Sequence, residues 1–157
     1  MTSPLQQTAD IITRAAGWNQ ALPDDDGVFR FFLEGGLDFE LLSPESSTGI
    51  LLAVLDAVPS ENDEHADDVV RRAASLAAGC MKKRRSVLSI GERGFELYRT
   101  FRLSDISEAD LLAEVRDFLN DLAWWKKQIS VSDSGARPTS PFSFSFGDFF
   151  SSGAFQG

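Results

Sequence analysis

Apolar side chains along this chain recur first at helical spacing, then on alternate positions, then at helical spacing again, and the switching continues as far as Ile129. Ser3 before Pro4 is an N-cap followed by proline at the first helical position. Leu5, Ile12 and Ala16 then form one stripe flanked by Ile11 and Trp18, which predicts a first helix ending near Gly17. Phe29, Phe31 and Leu33 alternate with Val28, Arg30, Phe32 and Glu34, and Leu37, Phe39 and Leu41 alternate with Asp38, Glu40 and Leu42. Gly35-Gly36 between them suits a two-residue hairpin turn. After a turn over 44–49, residues 50–58 are almost continuously apolar, as in a central strand covered on both faces, and Pro59 ends the run.

Residues 60–68 carry five acids and residues 71–85 carry six basic side chains, opposite charges at the two ends of one helix, as its macrodipole favours. The buried stripe predicted for this second helix is Val69, Ala73, Leu76, Ala77 and Cys80. Its other faces hold Ala74, Ser75, Ala78 and Gly79, small enough for another helix to approach closely. Val87, Leu88 and Ile90 predict a fourth strand, Gly91-Glu92-Arg93-Gly94 a tight loop, and Phe95, Leu97, Phe101 and Leu103 a fifth strand. Arg99 falls on the apolar face of that strand, which calls for a bulge or an ion pair. Ser107 and Asp110 resemble a capping box, and Leu111, Leu112, Val115, Phe118, Leu119, Leu122 and Ile129 follow at helical spacing. The reading is an α+β domain of order αβββαββα, one twisted antiparallel five-stranded sheet with three helices.

A chain of 157 residues is about one domain, here 1–129 followed by a tail over 130–157. The net charge of -9 disfavours nucleic acid, whose affinity rests on cations neutralising phosphates, and an anionic membrane surface repels it too. No apolar run reaches the length of about 20 residues that spans a bilayer, and no signal peptide precedes the first helix, so a cytoplasmic protein without membrane insertion is expected. Cys80 is the only cysteine, which agrees with a reducing compartment.

Candidate chemistry is sparse. His65 is the only histidine and sits in an acidic helix start, so neither a histidine triad nor a multi-histidine metal site assembles within one subunit. Cys80 on an apolar stripe reads as a small buried hydrophobe rather than a nucleophile. The 91–94 loop lacks the Lys-Ser/Thr of a phosphate-binding loop. Asp24-Asp25-Asp26 lacks the spaced ligands of a calcium loop, and Lys82-Lys83-Arg84-Arg85 is short and without interleaved aromatics, so a solvated turn and a helix-end cation cluster explain them. No catalytic residue, metal site or cofactor is expected. Function is therefore sought on surfaces.

From Ser130 the composition turns to Ser, Gly, Pro and Phe, and six of the thirteen phenylalanines lie within 142–155. Solvated tails are poor in aromatics. Phe142, Phe144 and Phe146 alternate with serine, so an extended strand presents all three rings on one side, suited to an apolar surface elsewhere in the protein.

The element order, the acidic charge, the amphipathic first helix, the Phe29-to-Leu42 hairpin, the small-residue second helix and the long last helix through Trp124-Trp125 resemble the class I chaperones of bacterial type III secretion, the Tir-chaperone or CesT-like family. The resemblance covers roughly residues 3–129 and rests on architecture and charge. It implies a homodimer that binds the N-terminal segment of secreted effector proteins, keeps it extended and secretion-competent, and delivers it to the secretion ATPase in a bacterial cytoplasm. Carried over, the dimer contact falls on Val69, Ala73, Leu76, Ala77 and Cys80, and the cargo surface on Ile11, Ile12, Trp18, Val28, Phe32 and Leu42. The Phe-rich tail departs from the family pattern; the promiscuous chaperones of the HpaB kind, which handle many effectors, are the variant the chain is similar to. Two other functions stay open at this point: a regulatory adaptor that binds a folded partner, and a small carboxylate-dependent hydrolase, for which no acid stands in a marked apolar setting.

Overall fold

The computed structural model describes residues 2–56 and 64–134. Helix α1 (Pro4–Ala16) starts where Ser3 Oγ accepts the Gln6 N–H at 3.1 Å and stops at Gly17, whose φ of 70° turns the chain left-handed. Ala9 and Ile12 face the core, with Thr8 and Thr13 beside them. These two hydroxyls donate back to the carbonyls of Pro4 (2.9 Å) and Asp10 (3.1 Å), so neither is buried unpaired.

Five strands follow, β1 (Phe29–Phe31), β2 (Phe39–Glu45), β3 (Thr48–Asp56), β4 (Val87–Gly91) and β5 (Gly94–Arg102), all paired antiparallel in the order β1-β2-β3-β5-β4. Helix α2 (Ala66–Cys80) lies between β3 and β4 in the chain, and α3 (Glu108–Ser134) closes the described part. The element order is the expected αβββαββα.

Three boundaries differ from expectation. The first hairpin does not turn at Gly35-Gly36 alone: pairing ends at Phe31↔Phe39, and a loop with one 3-10 turn (Glu34–Gly36) bridges the gap. Asp38 Oδ1 accepts the Leu33 N–H at 3.0 Å, a side-chain bond that replaces the ladder a longer strand would make. β2 continues past Pro44, because the ladder shifts register between Leu42 and Glu45, and a bulge is a place where proline's missing N–H costs no pairing. The last helix runs to Ser134, beyond the composition change at 130, whereas Pro59, the acids at 60–63 and Phe142, Phe144 and Phe146 lie outside the described residues.

One face of the sheet makes the core. Phe29, Phe31, Phe39, Leu41, Leu51, Ala53, Phe95 and Leu97 point inward, and α3 packs across β3 and β5 while α1 packs on β2 and α3. An aromatic series ties the layers together: Trp18 to Phe31 (6.0 Å between centroids), Phe31 to Phe39 (4.8 Å, stacked), and Phe39 edge-on to Phe118 of α3 (6.1 Å). Gly49 sits under Phe101, whose ring would stand 2.4 Å from an added Cβ.

Arg99 shares that inward face, and an ion pair rather than a bulge accommodates it: the β3–β5 ladder is regular there. Its Nε pairs with Glu114, and Asp121 and Asp117 on the same helix stand 3.7 and 3.9 Å from the guanidinium. Asp121 also accepts from Arg84 (3.0 Å) and from the Ser86 N–H (3.2 Å), anchoring the segment after α2 to α3.

Candidate peptide-binding surface

The opposite face of the sheet is built from the alternate residues of the same strands. Strand register places Arg30, Glu40, Leu52, Tyr98 and Val87 in one row across all five strands. Leu42, Ile50 and Thr100 form a second row, and Val54, Glu96 and Ser89 a third. Leu42, Ile50, Leu52 and Val54 are half-buried, and none belongs to the hydrophobic cluster or packs against it. The expectation that β3 is covered on both faces is thus corrected for the described residues: their helices cover the inner face, Leu51 and Ala53, and none of them covers the outer one.

Charge organises one end of this open face. Asp24 holds its own turn through the N–H groups of Asp26 (3.0 Å) and Val28 (2.9 Å) and pairs with Arg30 at 2.9 Å. Arg30 also pairs with Glu40, and Arg93 reaches Glu40 from the β4–β5 turn with two bonds of 2.8 and 3.0 Å, passing over β3. The hydrogen bond from Val28 lowers the Asp24 carboxyl below its ordinary range, and that from Arg93 does the same for Glu40. Arg93 is raised in turn by Glu40. Because the folded value of Glu40 is depressed, its stabilisation is present at neutral pH and is lost as pH falls through that lowered value. Glu40→Gln is accordingly expected to flatten the acid limb of stability against pH, a change that urea titrations at several acidic pH values would read. The acidic 24–26 turn is in this way a loop clamp. Among the described residues no cluster of histidine, cysteine and carboxylates is placed to hold a metal ion.

At the β1–β2 end, next to the charged ladder, a cleft of about 220 Å³ opens among Phe31, Phe32, Phe39, Leu52, Val54 and Lys126. Phe32 is 76% exposed, and Lys126 of α3 donates to the Gly36 carbonyl at the rim.

The structure separates the six residues expected to carry cargo. Val28, Phe32 and Leu42 belong to the open face and its edge. Ile11 and Trp18 lie half-buried on the helical side of the sheet, packed against the core, and Ile12 is 1% exposed inside it. For Ile12 the expectation is corrected: it is the deepest apolar residue of α1 after Ala9, and no surface is available there. What sequence reading missed is the outer row of β3, Ile50, Leu52 and Val54, with Tyr98 beside it. The signal was present in the unbroken apolar run, whose two faces a period-two pattern cannot rank.

Helix α2 is the least embedded of the three helices. Ala73 is its one buried residue; Leu76, Ala77 and Cys80 pack against the edge of the core, and Val69 is half-buried without joining it. A cleft of about 500 Å³ separates α2 from α3 between Leu76, Cys80 and Trp124. Of the basic run after α2, Arg84 lies 4.5 Å over the Trp124 ring and Arg85 stands 3.9 Å from Glu114, so two of its cations bind α3. Met81, Val87 and Ile90, on the α2–β4 flank, are exposed.

No protein-family model matches the chain, and no curated protein matches it. Solved structures do. A chain of the HopA1–SchA chaperone–effector complex superposes with a TM-score of 0.60 at 14% identity, over 79% of this chain and 94% of that one. A chain of the ExsC–ExsE complex gives 0.63 at 15% identity, over 82% and 96%. The Yersinia pestis type III secretion chaperone SycH, solved with a stable fragment of YscM2, gives 0.52 at 8% identity, over 76% and 98%. The fold is that of a type III secretion chaperone. Within this chaperone fold the chain keeps the three helices and the five-stranded antiparallel sheet, whose open face is formed by all five strands. None of the described helices is long and apolar enough to cross a membrane.

Proposed function

We propose that the protein is a chaperone of type III secretion, which holds the N-terminal segment of effector proteins extended over its open sheet face and presents it to the secretion ATPase. The observation that carries this reading is the set of half-buried apolar side chains Leu42, Ile50, Leu52 and Val54 on the outer face, which no described element covers. Large uncovered apolar surfaces are rare on isolated proteins and mark interaction sites. An extended segment added to a sheet is a known way to cover one, with backbone pairing for affinity and alternate side chains for selectivity. Similar folds occur in a solved chaperone–effector complex and in a type III secretion chaperone bound to a stable fragment of YscM2. The test is capture of an effector's N-terminal segment from the secretion system native to the protein's source. Phe32→Asp and Leu42→Asp should each weaken capture by about tenfold or more, with unchanged circular dichroism, since each puts a charge where an apolar contact is lost. Raising salt should leave wild-type binding nearly unchanged. Normal capture by both folded variants would overturn the assignment of this face.

The working unit in this reading is a homodimer that covers the α2–β4 flank, where Met81, Val87 and Ile90 are exposed beside small residues of α2. Ala78→Arg, on the exposed side of α2, is expected to leave the fold intact and convert a dimer into a monomer in sedimentation equilibrium, because a charge would enter a close helix contact. A wild-type monomer at micromolar concentration would refute the dimer while leaving the cargo face to its own test.

A further inference from the structure

We propose that the cleft beside β1 is occupied, in the free protein, by the chain's own C-terminal segment, with Phe142, Phe144 and Phe146 laid along it in extended form. The last helix passes that cleft shortly before the tail. Lys126 of α3 forms its rim through the Gly36 carbonyl, and the described helix ends eight residues later, about 12 Å further along at 1.5 Å per residue. Residues 135–141 then reach up to about 25 Å at 3.6 Å per residue, more than enough to return. The chemistry of the two parts matches. The cleft walls are Phe31, Phe32, Phe39, Leu52 and Val54, and its cations are already engaged, Arg30 by Asp24 and Glu40 and Lys126 by Gly36. Residues 138–147 carry no charge, so their docking strands none in the cleft.

Geometry supports an extended segment in particular. A segment lying extended along the cleft presents one ring on the same side about every 6.8 Å, the spacing of alternate residues in an extended chain. Tethering raises the effective concentration of the tail to the millimolar range, so a contact too weak to hold a free peptide still fills the cleft. The same face serves cargo in the function proposed above, and the tail would then act as its placeholder, yet the docking itself does not depend on that role.

The experiment uses the full chain without any effector, so its outcome is separate from that of the chaperone assignment. A synthetic peptide of residues 139–148 is titrated into wild type and into the full-length triple variant Phe142→Ser, Phe144→Ser, Phe146→Ser. The peptide is expected to bind the variant about tenfold more tightly, as follows when a millimolar tethered competitor faces a site with a dissociation constant on the order of 0.1 mM. In parallel, hydrogen exchange of the amides in β1 and the loop over 32–38 should quicken in the variant. Adding Phe32→Ser to it should weaken the peptide. Equal peptide affinities, absent binding in both proteins, or unchanged exchange overturns the proposal. A difference that disappears on dilution assigns the tail to a second copy and overturns the intramolecular form.

Discussion

Asp121→Ala is expected to lower the unfolding free energy by about 3–5 kcal/mol, the loss typical of removing one partner from a buried ion pair. Its side chain is only 7% exposed and serves three donors from two other parts of the chain: Arg84 at 3.0 Å, the Ser86 N–H at 3.2 Å and Arg99 at 3.7 Å. Removing it leaves the buried Arg99 guanidinium with less counter-charge and a buried N–H unpaired, and releases the segment that enters β4. Asp117 is the control. It also stands near Arg99, at 3.9 Å, but its side chain is 51% exposed, so Asp117→Ala should cost about 1 kcal/mol or less. Urea unfolding separates the two through their midpoints at equal slope. Equal shifts for both variants would mean that the network does not anchor α2 and β4 to α3.

Ile12→Asp is expected to unfold the protein or to cost at least about 3–5 kcal/mol, because it removes a packed side chain and buries a carboxylate with no partner. Ile12 is 1% exposed, amid the residues that join α1 to the sheet. Phe32→Asp, at a position 76% exposed, should change stability by about 0.5 kcal/mol or less. Thermal unfolding of the pair therefore distinguishes core from surface at two residues that the family resemblance placed on one cargo surface. A folded, stable Ile12→Asp would show that α1 packs less closely than described.

The element order was legible in the chain because each element announced its own period: the Ser3-Pro4 start and Gly17 stop of α1, the alternation of β1 and β2, and the Ser107 and Asp110 pair, which bond each other at 2.7 Å at the start of α3. These are local signals, carried by residues at most a few positions apart. The ion pair that holds Arg99 was legible only as one of two options, since its partners lie on a helix that begins nine residues later.

Which face meets which neighbour is not a local property. Residues 50–54 are apolar at nearly every position, so periodicity ranks neither side of β3, and only the packing of α1 and α3 makes Leu51 and Ala53 core and leaves Ile50, Leu52 and Val54 open. In α1 the stripe through Ile12 and the flanking Ile11 stand about 100° apart around the axis, and how fully each is covered depends on the packing, which buries Ile12 and leaves Ile11 half-buried. The Arg30–Glu40–Arg93 ladder shows the limit most clearly. Its members lie ten and fifty-three residues apart, and their encounter depends on β2 and the β4–β5 turn flanking β3, a pairing set by the strand order of the whole sheet. Sequence by itself determined the elements and the acidic, aromatic-tailed character of the protein; tertiary structure decided which apolar residues are spent on the core and which remain for a partner, because burial is a relation between elements brought together from far apart in the chain.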